Sequence, residues 1–187
     1  MLHQYLSAVS NYFHYITIII ITIIITITTT LSTSTSLLLA ISCYGSSCSI
    51  TIQVVQPPYY TNSESWNGAL NLAEVELWYA GTKVPNSAIS ATLSTTLGGS
   101  PVSNCFDGNY DNFCHTNDGQ CCGSLTMTVS NVLFDTIKVY NRKLCCNGRM
   151  RGGTISVSYA SSTIWRGSFP GPEMVYIFNM QSKSRYY

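Results

Sequence analysis

The chain has 187 residues, with 9 Lys and Arg against 8 Asp and Glu and only 9% of positions charged, which leaves room for one ordinary core plus an appendage and not for two large domains. So small a charge provides no field to hold a polyanion, which speaks against nucleic acid as a partner. Thr, Ser and Ile dominate, with 13 Tyr and 13 Gly, the composition of short strands and tight turns.

Charge is unevenly placed: no Asp, Glu, Lys or Arg precedes Glu64. Within that uncharged part, Ile16 to Ile41 is 26 residues of Ile, Leu and Thr/Ser with one Ala, about 39 Å long as a helix against a hydrocarbon core of about 30 Å. Residues 1–42 are therefore expected to be a signal peptide or a membrane anchor, with small residues near Ala40-Ile41-Ser42 as a cleavage signal. The segment lacks a basic leader, so it gives no orientation by positive charge, and a low-complexity tract without a targeting role is the alternative.

Eight cysteines, at 43, 48, 105, 114, 121, 122, 145 and 146, are an even set in a short chain, as expected in an oxidising compartment. Two of the pairs are directly adjacent, which suits tetrahedral zinc poorly. Disulfides are expected instead, with Cys43–Cys48 and Cys105–Cys114 as candidate loop closures. The protein is thus expected outside the cell or anchored facing an oxidising lumen, on a cell or virion surface.

Ser49 to Val55 alternates like a strand but runs into Pro57-Pro58 and the polar Tyr59 to Asn67, a linker signature. Residues 43–69 are therefore read as linker and 70–187 as the domain, so that a chain begun after Ser63 is expected to fold. From Leu70, strands are predicted at Leu72 to Tyr79, Ser124 to Ser130, Thr136 to Asn141, Gly153 to Tyr159 and Met174 to Asn179, each bounded by Gly, Pro, Asn or Asp. No segment carries a sustained helical stripe. The fold class expected is all-β, a jelly-roll sandwich.

Two loops concentrate the chemistry. Ser103 to Thr116 is dense in Asp, Asn and turn carbonyls around Gly108; such oxygens can wrap Ca²⁺, which takes about 6–8 of them, or can cap the loop's own backbone in Asx turns. Tyr140 to Gly153 holds Arg142, Lys143, Arg149 and Arg151, four of the nine cations. Arginine forks can grip a carboxylate, a phosphate or neighbouring sugar hydroxyls, though a solvated basic turn has the same composition.

The spacing joins the two loops: His115, 26 residues, Arg142, one residue, Leu144, four residues, Arg149. This resembles the fucose-binding pattern of the F-type lectins (fucolectins), members of the wider discoidin-like (coagulation factor 5/8 type C) group with a galactose-binding-like jelly roll. In them the pattern is His, 26 residues, Arg, one residue, Asp, four residues, Arg or Lys, often with adjacent cysteines in the last gap, where Cys145-Cys146 stand here. Ser103 to Asn109 is similar to the family's calcium loop and Val139 to Arg142 to its strand entering the sugar site; the likeness covers roughly Leu70 to Asn179.

The resemblance implies a calcium-assisted glycan-binding module for fucose-type sugars. His115, Arg142 and Arg149 would donate to the sugar, and a Cys145-Cys146 disulfide would stack on its apolar face. Ca²⁺ would fall to Asn104, Asp107 and Asn109, with a contribution near Asn112, and to Glu74 on a strand that comes first here and last in the family. Leu144 departs from the Asp that orients the arginines, and Gly119 to Gly123 replaces an aromatic stretch. A structural or adhesion module with a degenerate sugar site is the competing class. No nucleophile motif or paired-carboxylate arrangement points to an enzyme.

Overall fold

The computed structural model describes residues 49–57, 68–118 and 122–180, all within the unit Leu38–Tyr187. The expected targeting segment, Cys43, Cys48, Cys121 and the polar stretch Tyr59 to Asn67 lie outside them. Among the described residues no helix is long and apolar enough to cross a membrane.

Among the described residues ten strands run in chain order: β1 (Ser49–Val55), β2 (Asn71–Tyr79), β3 (Thr82–Lys83), β4 (Ile89–Leu93), β5 (Cys114–His115), β6 (Ser124–Ser130), β7 (Thr136–Asn141), β8 (Thr154–Tyr159), β9 (Ser162–Ser168) and β10 (Val175–Asn179). They form two antiparallel sheets, β4-β6-β1-β8-β9 and β10-β7-β2-β3, with β5 added to β2. Alternation explains the layering. Ile50, Ile52, Val54, Leu125, Met127, Val129, Ile155 and Val157 of the first sheet share one core with Leu72, Val75, Leu77, Ile137, Val139 and Tyr176 of the second. Two apolar faces buried against each other make the chain an all-β sandwich.

The domain boundary differs from the sequence expectation. β1 is a central strand, paired with β6 on one side and β8 on the other, and Ile50, Ile52 and Val54 are at most 1% exposed. The sandwich thus begins by Ser49, inside the stretch read as linker, and the prolines misled because they follow a complete strand. Four strands escaped the sequence reading, and two of them, β3 and β5, are only two residues long. β4 and β9 lie on the rims of their sheet, and β9 is exposed at most positions, so neither carries a strong apolar alternation.

β2 carries a bulge. Its register with β7 shifts between Leu72 and Glu74, so Ala73 is the extra residue. Leu72, Val75 and Leu77 remain core residues, and the alternation about them puts Asn71, Glu74 and Glu76 on the outer face.

Gly123 marks a close approach of backbones. A Cβ there would lie 2.4 Å from Thr116 Oγ1, 2.7 Å from Leu70 N and 2.9 Å from Gly68 O, and two of those atoms are backbone that cannot swing aside. Gly123→Ala is expected to lower stability by about 1–3 kcal/mol in thermal unfolding; an unchanged melting temperature would show that this crossing is loose.

Candidate functional site

At one end of the second sheet three of the expected sugar-site residues come together. Arg149 Nη1 lies 3.2 Å from His115 Nε2, and the Arg142 guanidinium sits over the Phe113 ring at 3.9 Å. Phe113 in turn meets the His115 ring edge-on, with centroids 6.0 Å apart. His115 Nδ1 is bonded to the Thr116 carbonyl; assigning the ring proton to that nitrogen leaves Nε2 as the acceptor for Arg149. His115 and Arg149 are buried, at 4% and 7% exposure.

The basic loop that supplies both arginines is held from below. The Asn141 carboxamide, at the end of β7, donates to Asn147 O at 3.1 Å and Glu173 O at 2.6 Å, and its backbone N–H donates to Met174 O. Gln56, just past β1, donates to the Arg149 carbonyl. Cys145 and Cys146 form a disulfide between chain neighbours, with Cα atoms 3.8 Å apart, and Cys146 takes a left-handed φ of 72° before the short 3₁₀ turn Asn147–Met150. The turn places Cys145 and Leu144 outward, Leu144 at 89% exposure.

The expected cation loop lies beside this end and is clasped by a second disulfide, Cys105–Cys114. Asp107 Oδ1 accepts the Asn109 N–H at 2.8 Å, and Asn109 Oδ1 accepts the Asp111 N–H at 3.0 Å. These are successive Asx turns. Asp107 Oδ2 takes the Asn112 amide at 2.6 Å, and Asn104 donates to the Phe113 carbonyl at 3.1 Å. Gly108, at φ 77°, turns its N–H onto both oxygens of Glu74, at 3.3 and 3.2 Å.

Two observations make these residues a partial fit for Ca²⁺. The Asn112 side-chain oxygen is buried without a hydrogen-bond partner. Burial pushes the Glu74 carboxyl up from 4.5 to about 7, with Asp107 and Glu76 adding to the rise and the Gly108 N–H and Lys83 opposing it. A carboxylate facing a second carboxylate in a desolvated place is what a cation relieves. Asp107 and Asn109, by contrast, already spend their oxygens on the loop itself. Among the described residues no group of three His, Cys, Asp or Glu converges, so amide and carbonyl oxygens would have to supply most ligands.

Beneath this loop Glu76 anchors a network the sequence did not reveal. Its carboxylate takes Lys83 Nζ at 2.8 Å, Tyr110 Oη at 2.6 Å, Tyr140 Oη at 3.1 Å and Trp78 Nε1 at 2.9 Å. Burial alone would raise its pKa, but the bonds from Lys83, Tyr110 and Trp78 outweigh that and lower it, while the bond to Glu76 raises Tyr110. The exposed pair Lys143–Asp111, at 2.6 Å, ties the basic loop to the cation loop, though an exposed pair adds at most about 1 kcal/mol.

Phe113 and Gln56 were also invisible in the sequence as site residues. Phe113 was legible only as the alternate partner of His115 across Cys114, just before a two-residue strand too short to show a pattern. Gln56 lay in the stretch read as linker. No family model, no curated protein and no solved structure matches the chain.

Proposed function

We propose that this chain is a carbohydrate-binding module, secreted or membrane-anchored, whose glycan site lies where Arg142, His115 and Arg149 meet. The observation that carries the reading is their convergence from two separate loops: a 3.2 Å contact between Arg149 and His115, with Arg142 joined to them through Phe113. Two guanidinium forks beside an imidazole offer several donors in a fixed geometry to neighbouring hydroxyls. The Cys145–Cys146 disulfide, next to them in the same turn, supplies a stiff apolar surface for a sugar face. L-fucose is the first ligand to test. Ca²⁺, held by Glu74, Asp107 and Asn112 with Asn104 and Asn109 nearby, would brace the cation loop from which His115 emerges.

Calorimetry with L-fucose tests this. Arg142→Ala and Arg149→Ala are each expected to weaken binding by about five- to hundred-fold, since each leaves ligand hydroxyls unpaired at about 1–3 kcal/mol. Leu144→Asp is expected to tighten it by giving the arginines an acceptor. Binding that survives loss of both arginines places the ligand elsewhere.

The burial of His115 and Arg149, and their bond to one another, favours a second reading. The pair then serves as a structural tie, and the module acts in adhesion without binding sugar. Under that reading Arg149→Ala lowers the melting temperature, and a glycan array probed with the chain stays blank.

A further inference from the structure

The outer face of β2 carries one polar side chain at the sugar-candidate end, Asn71, which is wholly buried. Neither its Oδ1 nor its Nδ2 has a hydrogen-bond partner. A buried carboxamide left so is costly, which makes its surroundings informative. Asn71 is register partner of His115 on β5. The His115 backbone N–H and C=O are bonded to Ser100 and Leu97, while Thr116 N–H bonds Leu70 O. Asn71 and His115 are therefore a non-hydrogen-bonded pair, the arrangement that brings opposed side chains closest on one face.

On its other side β2 faces β7. The pair Leu72–Asn141 is in register, and one step further along the same register places Arg142 opposite Asn71. Arg142 reaches the same spot by a second route, since its guanidinium covers Phe113, which contacts His115. Arg142 Nε is itself buried with no hydrogen-bond partner. Among the described residues no ion pair joins Arg142 to a carboxylate, and Leu144, two residues on, provides no acceptor. An unpartnered donor and an unpartnered acceptor thus stand on neighbouring register positions of one face.

We infer that Asn71 is a positioning residue for Arg142: its Oδ1 holds the Arg142 Nε–H, directly or through one water, and so fixes the plane of the guanidinium over Phe113. This deepens the sugar-site reading and rests on it for the ligand, but the pairing itself stands without ligand. With Nε anchored from behind, both terminal nitrogens of Arg142 are turned outward together toward hydroxyl oxygens.

The test is the exchange of the Arg142 Nε–H with water, followed by nuclear magnetic resonance on the ¹⁵N-labelled full chain and assigned by its loss in Arg142→Lys. Asn71→Leu, which keeps the volume and removes the acceptor, is expected to speed that exchange at least tenfold; Asn71→Asp, which keeps an acceptor and adds charge, is expected to slow it. Calorimetry with L-fucose should follow, with binding at least tenfold weaker in Asn71→Leu and retained in Asn71→Asp. An unchanged exchange rate in both variants overturns the inference, whatever their melting temperatures do. Should Asn71→Leu not fold, Asn71→Asp alone decides by the same criterion. If the wild type binds no L-fucose, the sugar reading fails, while the exchange rates in free protein still judge the Asn71–Arg142 pairing.

Discussion

A chain begun at Glu64 will be unfolded, and one begun at Ser49 will keep its sandwich. The difference is β1. Ile50, Ile52 and Val54 fill the centre of the core between β6 and β8, and burying three such side chains is worth roughly 5–9 kcal/mol. That is comparable to the whole stability of an ordinary domain, roughly 5–15 kcal/mol, before the loss of two hydrogen-bonded ladders is counted. β6 and β8 would also be left as open edges with apolar faces, so the shortened chain is expected to aggregate. Circular dichroism and size exclusion on the two chains decide it; a monomeric, cooperatively unfolding chain from Glu64 would mean that β1 is dispensable.

Raising the pH from 4.5 to 8 in a chelator will destabilise the wild type and will leave Glu74→Gln nearly level across that window. Glu74 is fully buried at its side chain and its carboxyl is raised to about 7, chiefly by desolvation. A raised carboxyl means that the folded state holds the proton more tightly than the unfolded one. The associated stability is complete below 4.5 and is lost as the pH rises through 7, by at most about 3 kcal/mol. Glu76 acts in the opposite sense and in another window: its lowered pKa gives stability that is present above 4.5 and lost in stronger acid. Millimolar Ca²⁺ at pH 8 should restore most of the Glu74 loss, because a cation beside the carboxylate favours its charged form and binds only the folded loop. Melting temperatures that ignore Ca²⁺ would leave the loop closed by its Asx turns alone.

The parts of the fold that could be read from the sequence are those where one face is buried and the other is not. Ser124–Ser130 and Thr136–Asn141 alternate cleanly between buried and more exposed positions, and both were bounded correctly. β2 was visible as a strand, but its burial on both faces could not be foreseen, because the loop that covers it returns from more than thirty residues away. For the same reason the burial of Glu74, expected only as a cation ligand, and of Glu76 could not be foreseen. Cys105–Cys114 was one candidate closure among several that the sequence left open, and it is formed. The meeting of His115 with Arg149 needed the resemblance to suggest it and the strand register to give it a geometry. Asn71 had no signal at all, since a single polar residue at a strand's start is usually solvated.

The bulge at Ala73 has a consequence for how this strand tolerates change. Asn71 and Glu74 are three apart, and in an unbroken strand they would face opposite sides. The extra residue sets them on one face, so that one strand serves both the arginine end and the cation loop. The length of β2 can therefore change at the bulge itself, but not elsewhere along the strand. A single-residue deletion at Ala73 would straighten the strand with Asn71, Glu74 and Glu76 still on one face, whereas a deletion at Val75 would throw the two halves out of phase and turn either Glu76 or both Asn71 and Glu74 into the aliphatic interior. Insertions and deletions are better absorbed in the connections that flank it, and β2 itself acts as a fixed ruler between the two loops.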